Sequence, residues 1–267
     1  MAADIRIGTS AFTAAGWEGS FYPEGMQPAD YLHYYAQQFD TVEVDSTYYR
    51  IPAPAMVKRW YEQTPKNFLF ALKIVSTITH EKVLVDCEEE LRQFISSADL
   101  LGEKLGPLLF QFPYFNKKAF PDGAAFFARL EPFMKKLPRG YRFAVEIRNK
   151  AWMVPRFADI LRERGVALTL VDHPWMPRPR EVFSRTDPIT ADFTYIRLLG
   201  DRKGIEEETK TWDKTIVDRK RELAEWVEIV RKVHERRIQI FVYVNNHYAG
   251  HAPATVRQLS EMLQKRK

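Results

Sequence analysis

The strongest constraint on the fold is a regular alternation of short apolar segments with longer amphipathic ones along the whole chain. The apolar segments have the composition of buried strands. They are Ile5–Ser10, Thr41–Ser46, Phe68–Ile74, Leu108–Phe112, Arg142–Ile147, Ala167–Asp172, Thr194–Leu199 and Ile238–Asn245. The segments between them predict helices at Pro28–Phe39, Ala55–Glu62, Glu88–Lys104, Gly123–Leu137, Pro155–Arg164, Asp213–Glu235 and Ala254–Lys265. Strands that alternate with helices predict a parallel sheet, because parallel neighbours are joined by crossover connections.

Eight such strands in 267 residues fit a single-domain (β/α)8 TIM-type barrel over 1–267. The connection between strands six and seven, His173–Phe193, is rich in proline and carries no helix signal, so we predict an irregular connection there. A doubly wound open sheet is the alternative. It has less support because GTSAFTAAG, after the first strand, is a poor match to a glycine-rich phosphate-binding turn.

Composition limits the cellular compartment and the kinds of partner that we expect for this protein. No apolar run approaches bilayer-spanning length and no secretory signal pattern is present, so we expect a cytoplasmic protein without a membrane partner. The single cysteine, Cys87, follows Asp86 and precedes three glutamates, which raise a thiol pKa and predict a structural role. The net charge of +5 is concentrated in the last third, where basic runs leave nucleic acid open as a partner.

Side chains alternate between the two faces of a strand, so each strand divides into an inward and an outward set. In the second strand Val42 and Val44 are predicted to face the helices, which directs Glu43 and Asp45 to the barrel axis. The same division gives every strand an inward polar residue near its carboxyl end. These residues are Ser10, Glu43, Asp45, Lys73, Gln111, Glu146, Arg148, Asp172, Arg197, Tyr243 and Asn245. TIM-type barrels build their active sites on this rim.

The predicted rim mixes acidic and basic residues in nearly equal number. The acids are Glu43, Asp45, Glu146 and Asp172, and the bases are Lys73, Arg148 and Arg197. Charges gathered in a partly desolvated cup pair with one another or with a ligand. Two interpretations follow: a salt-bridge network that caps the barrel core, or a polar pocket with acid–base groups and an anion clamp.

Several chemistries suit this set of residues. Arg148 and Arg197 are suited to gripping a phosphate or carboxylate, with Glu43, Glu146 or His80 as base and acid. Two carboxylates across a sugar would also suit glycoside cleavage.

Two further chemistries have less support. A divalent metal on Glu43, Glu146, Asp172 and His80 is not favoured, because three cations crowd the same rim. A Schiff base at Lys73 needs a lowered pKa, and neighbouring carboxylates are expected to raise it.

Loops at the barrel mouth supply further candidates. Asn245, Asn246 and Gly250, with the start of the last helix, predict an anion site after strand eight. Trp17, Phe21, Tyr22, Trp152 and Trp175 either wall the cup or pack beneath the long loops. The charged segment Gly200–Lys214 is equally consistent with a lid and with a variable surface loop.

Blocks of sequence spread from Ile7 to about Leu259 resemble one known family. They are IGTSAF, GWEGSFYPEG, FDTVEVDSTYYRIP, TPKNFLFALK, LGPLLFQFP, FAVEIRNKAW, FTYIRLLG and VYVNNHYAGHAPATVRQL. The chain resembles the DUF72 (YecE-like) family, which implies a TIM-type barrel and leaves the reaction unassigned. The family motifs fall on Glu43, Lys73, His80, Gln111, Glu146, Arg148, Arg197, Asn245 and Asn246.

This chain departs from the family pattern at three places in those blocks. Asp45 stands where the family usually has Asn, and Tyr48 stands where it has Phe. Ala11-Phe12 replaces a common Gly-Trp or Gly-Tyr pair. The first departure adds a negative charge to the rim.

The favoured hypothesis is an enzyme, a hydrolase or a lyase/isomerase without redox cofactor, acting on a small anionic or polyhydroxylated molecule. The alternatives are a nucleic-acid-binding or processing protein and a non-catalytic ligand-binding module. The predicted catalytic residues are Glu43, Glu146, Lys73 and His80. The predicted ligand-binding residues are Asp45, Gln111, Arg148, Asp172, Arg197, Tyr243, Asn245 and Asn246.

Overall fold

The computed structural model describes residues 4–265, and its centre is a sheet of eight parallel strands curved into a nearly closed barrel. The strands are β1 (Ile5–Thr9), β2 (Thr41–Val44), β3 (Leu69–Lys73), β4 (Leu105–Gln111), β5 (Phe143–Glu146), β6 (Ala167–Asp172), β7 (Phe193–Leu198) and β8 (Gln239–Val244). Hydrogen bonding follows chain order from β2 to β8, and β8 then pairs with β1. The predicted TIM-type barrel is confirmed.

Helices cover the outside of the barrel. They are α1 (Tyr31–Gln38), α2 (Pro54–Glu62), α3 (Glu88–Ala98), α4 (Gly123–Lys136), α5 (Pro155–Arg162), α6 (Pro179–Arg185), α7 (Arg202–Glu208), α8 (Lys220–His234) and α9 (Ala252–Gln264). Short 3-10 turns extend α1 at its start and α3 at its end. None of the helices in the described residues is long and apolar enough to cross a bilayer.

The connections differ from the predictions in three details. The β6–β7 connection is mostly irregular, as predicted, but it contains the short helix α6, which begins at a proline in its first turn, a position that needs no amide donor. The charged segment after β7 contains the short helix α7, which was not predicted. The long helix predicted from Asp213 begins at Lys220 instead, because the preceding chain is irregular and Ile216 N and Val217 N donate to the carbonyl oxygen of Ala249.

Strands β1 and β2 close the barrel without a hydrogen-bonded ladder among the described residues. The hydroxyl of Tyr35, on α1, bridges them instead: it accepts from Thr9 N at 2.9 Å and donates to Thr41 O at 3.1 Å. A Cβ atom on Gly8 would lie 2.1 Å from that same carbonyl oxygen. Closure therefore depends on a buried tyrosine and on the absence of a side chain at position 8.

Two apolar cores lie on opposite faces of the sheet. The larger one fills the space between strands and helices and includes the alternate strand residues Val42, Val44, Phe70 and Leu72. The smaller one lies inside the barrel and consists of Ala71, Leu109, Ala144, Ala167, Phe193, Tyr195, Phe241 and Tyr243. The predicted division into inward and outward sets is thereby confirmed for strands two to five, seven and eight, and β1 follows it because Gly8 pairs with the inward Tyr243.

Strand six breaks the predicted pattern. Leu168 and Leu170 belong to the outer core, so Asp172 on the same face also points outward. In register, Asp172 lies opposite Leu198, an outer-core residue, whereas Val171 lies opposite the inward Arg197. The prediction that Asp172 lies on the rim of the mouth was wrong.

Candidate functional site

Arg197 is the centre of a buried ion-pair network at the carboxyl ends of the strands. From β7 its Nη2 approaches Glu43 Oε1 of β2 at 2.6 Å, and its Nη1 approaches Glu146 Oε2 of β5 at 2.9 Å. Tyr195, two residues earlier on the same face, donates its hydroxyl to Glu43 Oε2 at 2.5 Å. Glu43, Glu146 and Tyr195 are fully buried, and Arg197 is 2% exposed. These four residues form what we call the lower layer.

Most of the charge in the lower layer is paired within it. Both oxygens of Glu43 are engaged, by Arg197 and Tyr195, and Glu146 Oε2 accepts from Arg197. Glu146 Oε1 lies 2.6 Å from Arg148 Nη2 of the layer above but has no hydrogen-bond partner among the described residues. Burial opposes ionisation of Glu146, yet Arg148 and Arg197 outweigh it and lower its pKa. For Glu43 burial is the larger effect, and it raises the pKa despite Arg197. The salt-bridge network that caps the barrel core, one of the two interpretations, is therefore present.

Above these groups lie three charged side chains that reach solvent, which we call the upper layer: Asp45, Lys73 and Arg148. Their side chains are 29%, 13% and 14% exposed. Asp45 Oδ1 contacts Arg197 Nη2 at 3.1 Å and Lys73 Nζ at 3.9 Å. Arg148 Nη2 meets Glu146 Oε1 at 2.6 Å, while its buried Nε has no hydrogen-bond partner among the described residues. The upper layer is less fully paired than the lower one.

Lys73 is the most weakly held of these cations. Residues 4–265 supply no hydrogen bond to its ammonium group, which lies 4.3 Å above the ring of Tyr48 and 3.9 Å from Asp45. Burial lowers its pKa, and Arg197 adds to that effect, while Asp45 opposes it. The carboxylates Asp45, Glu146 and Glu43 do raise the pKa of Lys73, as expected, but desolvation outweighs them and the net direction is downward.

His80 lies close enough to Lys73 for the charge of the lysine to act on it. It is half-buried, packs edge-on against Tyr48 at 4.9 Å between ring centroids, and shares a hydrogen bond of 2.8 Å between Nδ1 and Thr79 Oγ1. Burial and the charge of Lys73 lower its pKa to about 4, so the imidazole is neutral at pH 7. It sits in a single π-helical turn, Thr77–Glu81, a feature that is frequent at functional sites.

The chain just after His80 is strained. Val83, Leu84 and Asp86 all have positive φ angles, of 44°, 66° and 47°. Such conformations are rare for residues with a β-carbon and costly for a β-branched one. The fold therefore tolerates strain in the loop that carries His80.

His173 is a mouth residue that the sequence analysis missed. It follows Asp172 and lies close enough to Arg148 and Glu146 for their charges to act on it. Burial, then Arg148, lowers its pKa to about 4, and its Nδ1 accepts from Trp175 N at 3.1 Å. The signal was available: once Asp172 is assigned outward, alternation directs the next residue to the mouth.

Other predicted ligand-binding residues have structural partners. Asp172 lies outside the barrel, where it accepts from Trp226 Nε1 at 2.7 Å and pairs with Arg178 at 2.8 Å. Tyr243 is fully buried inside the barrel and shares a hydrogen bond of 2.7 Å with Thr41 Oγ1. Gln111 is at the mouth but 9% exposed, and its Nε2 donates to Phe112 O at 2.6 Å.

The loop after β8 uses its asparagines internally. Asn246 Oδ1 accepts from Trp17 Nε1 at 3.2 Å and from Ala252 N, the first amide of α9, at 2.9 Å. Asn245 Oδ1 accepts from His247 N at 3.0 Å. The amide predicted to hold an anion at the start of α9 is thus already satisfied by a side chain of the protein.

The loop aromatics divide between the two interpretations. Trp17, Phe21 and Tyr22 belong to the outer core, as does Trp152, which stacks at 5.2 Å between centroids on Phe126. These four pack beneath the loops. Trp175 is 61% exposed and lies beside the mouth.

Two other predictions can be compared with the structure. Cys87 is buried, and burial followed by Glu88 and Glu90 raises the pKa of its thiol to about 11, as expected for a structural cysteine. Across residues 4–265, no three His, Cys, Asp or Glu side chains converge as a set that could hold a metal ion.

Comparison with known proteins places the barrel in a family. The model of the family "Protein of unknown function DUF72" matches residues 6–267. The chain is 25% identical to the UPF0759 protein YunF of Bacillus subtilis over 269 aligned positions, 93% of this chain and 92% of YunF. It is 29% identical to the UPF0759 protein YecE of Escherichia coli over 147 positions, 53% of this chain, and this match spans about half of YecE, 52% of its length.

Solved structures agree. A DUF72 family protein from Thermotoga maritima superposes with a TM-score of 0.75 at 28% identity, covering 98% of this chain and 100% of the other. One from Enterococcus faecalis gives a TM-score of 0.68 at 25% identity, covering 99% of both chains. The family match over nearly the whole length, together with the shared barrel, means that this chain belongs to the DUF72 family of proteins of unknown function.

Proposed function

We propose that the barrel mouth binds a small anionic molecule on the upper layer and acts on it by proton transfer, as a lyase or isomerase. The observation that carries this proposal is the contrast between the layers. Arg197 is saturated by carboxylates, whereas Lys73 and Arg148 reach solvent, and no described residue accepts a hydrogen bond from the ammonium group of Lys73. Cations with free donors in a partly desolvated cup are suited to an anionic ligand.

Lys73 and His80 are the proposed proton-transfer groups. A general acid or base works best when its pKa lies near the working pH, and burial moves the pKa of Lys73 in that direction. His80 is neutral at pH 7 and has a ring nitrogen beyond the one bonded to Thr79, so it can accept a proton. A lysine with a lowered pKa also suits a Schiff base with a carbonyl compound.

Glu43 and Glu146, predicted as catalytic, are proposed here to act through other residues. Each is fully buried and each carboxylate contacts a guanidinium group, so a ligand cannot reach them without displacing Arg197 or Arg148. Their role in the proposal is to fix Arg197 and Arg148, and through Arg197 the carboxylate of Asp45. This makes them positioning residues.

Binding of a simple anion tests the first half of the proposal. We expect isothermal titration calorimetry to detect inorganic phosphate and ribose 5-phosphate with wild-type protein. The affinity should fall about tenfold or more in Lys73→Met and in Arg148→Met, since each loses a charge-assisted contact. Lys58→Met, at an exposed position on α2, is the matched control and should bind as wild type does. Equal affinity in all four proteins would contradict the proposal.

Proton transfer is tested separately. We expect borohydride to trap an adduct between the protein and small carbonyl acids such as glyoxylate, and peptide mass spectrometry to locate it at Lys73. Labelling spread evenly over exposed lysines such as Lys58 would remove Lys73 from the covalent role. Acid–base chemistry would be supported if solvent hydrogen no longer exchanges into the bound ligand in Lys73→Met and in His80→Gln. The His80→Gln variant should still bind the ligand.

Nucleic-acid binding has less support. Several basic residues of the last third are used within the protein: Arg236 pairs with Asp187 at 2.8 Å, and Arg231 donates to Met262 O at 3.2 Å.

We also propose a cytoplasmic location, where the single buried thiol would stay reduced.

A further inference from the structure

A shallow cleft adjoins the mouth on the side of Arg148. It has a volume of about 380 Å³ and is lined by Tyr114, Arg148, Lys150, Pro174 and Trp175. Its walls come from the segments that follow β4, β5 and β6. Volumes of this size are typical of small-molecule pockets. Arg148 lines the cleft and also belongs to the upper layer, so the cleft adjoins the charged side chains of the mouth through this arginine.

The aromatic wall of this cleft is unusually exposed. Three aromatic side chains are exposed among residues 4–265: Tyr49 at 79%, Tyr114 at 59% and Trp175 at 61%. Tyr114 and Trp175 lie edge to face, with ring centroids 6.3 Å apart, and Trp175 also meets the ring of His173 at 5.1 Å. The indole therefore packs against two neighbouring rings while a large part of it stays open to solvent. An exposed aromatic face of this kind is suited to stacking against a flat ring.

The charge of the cleft indicates a second property of its ligand, a negatively charged group. Arg148 and Lys150 both line it, and none of its five lining residues is acidic. Two cations match a phosphate group better than a singly charged carboxylate.

We infer that the ligand of this site carries a planar heteroaromatic ring as well as a phosphate, as a mononucleotide does. The ring stacks on Trp175 beside Tyr114, and the phosphate lies at Arg148, with Lys150 on the cleft side and Lys73 of the upper layer on the other. This inference rests on the proposed function, because it assigns the substrate class of the same mouth.

Four probes separate the ring from the phosphate: adenosine 5′-monophosphate, ribose 5-phosphate, adenosine and inorganic phosphate. We expect calorimetry with wild-type protein to show adenosine monophosphate binding about tenfold more tightly than ribose 5-phosphate, since stacking on one aromatic side chain gives a gain of this order. Trp175→Ala should remove that advantage and leave the affinity for ribose 5-phosphate unchanged. Lys150→Met should weaken both phosphates.

The control is Tyr49→Ala, which removes an exposed aromatic ring that does not line the cleft. It should retain the full preference for adenosine monophosphate. Equal affinities of the two phosphates for wild type, or an equal loss of both in Trp175→Ala, would overturn the inference and leave anion binding at the mouth intact. Failure of all four probes to bind would overturn the proposed function together with it.

Discussion

Replacing Arg197 with methionine tests whether the buried ion pairs of the lower layer stabilise the fold. Methionine keeps much of the side-chain volume and removes the charge. Glu43 and Glu146 would then be two fully buried carboxylates without the cation that bridges them. Breaking a buried ion pair from one side costs about 3–5 kcal/mol. A typical domain has only about 5–15 kcal/mol of stability, so we expect a folded but much weakened variant.

The pH dependence makes this prediction more specific. In wild type the pKa of Glu146 is lowered, so its contribution to stability is present above the unfolded-state pKa and is lost as pH falls through the folded value. Without Arg197, Glu43 loses the cation that most opposes burial, so its pKa rises further above the unfolded value, whereas Glu146 keeps Arg148. The contribution of Glu43 is present below the unfolded pKa and is lost as pH rises through the folded one. The difference between variant and wild type should therefore shrink from pH 7 to pH 5.

Urea unfolding followed by tryptophan fluorescence at several pH values measures both the loss in free energy of unfolding and its dependence on pH. Arg180→Met is the matched control, because Arg180 is 64% exposed and pairs with Glu228 at the surface. Exposed pairs of this kind contribute about 0–1 kcal/mol, with little dependence on pH in this range. If Arg197→Met loses no more stability than this control, or if its deficit grows on acidification, the buried network is not what holds this end of the barrel.

Three further outcomes follow from the geometry. Competitive acetylation read by mass spectrometry should give Lys73 a titration midpoint below the ordinary lysine value of about 10.4, because burial lowers the pKa of Lys73; a midpoint at or above that value would contradict this. Gly8→Ala should lower the free energy of unfolding by about 1–3 kcal/mol or more, since its Cβ would meet a carbonyl oxygen of β2 at 2.1 Å. Asp172→Asn should lower the urea midpoint while leaving phosphate affinity at the mouth unchanged, because Asp172 lies outside the barrel.

Alternation along the strands carried most of the information about the site. Wherever bulky apolar residues occupied alternate positions, as Phe70 and Leu72 do, the polar residue between or after them faced the barrel interior. Strand six contained the same signal, since Leu168 and Leu170 are its bulky residues and both face the helices. The rule that every strand ends with an inward polar residue predicted the opposite face for Asp172. It was wrong there, because the two leucines face the helices and Asp172 shares their face.

The pairing within the site could not be read from the sequence. Arg197 reaches Glu43 across the barrel, from a strand 154 positions away. Whether a carboxylate at that depth is free or saturated depends on side-chain reach and burial, which alternation does not report. The same limit applies to Lys73, whose pKa direction depends on a competition between desolvation and a 3.9 Å ion pair.

Asp45 links the two layers, and its charge sets how strongly the mouth attracts an anion. The three cations Arg197, Lys73 and Arg148 are balanced by Glu43, Asp45 and Glu146. The DUF72 pattern that the sequence resembles usually has Asn at position 45, and an amide there would leave a net positive mouth. Asp45→Asn should therefore tighten phosphate binding.

The size of that effect follows from Coulomb's law. Opposite charges about 4 Å apart interact by about 1 kcal/mol in water and by about 4 kcal/mol near a protein surface. Asp45 lies 3.9 Å from Lys73 and its side chain is 29% exposed, so we expect a gain of about 1–2 kcal/mol, roughly 5- to 30-fold in affinity. Asp45→Ala separates charge from hydrogen bonding, because it also removes the carboxylate but cannot bond to Arg197. Calorimetry should show tighter phosphate binding in both variants, and an unchanged or weaker affinity in Asp45→Asn would mean that the anion does not sit beside Lys73.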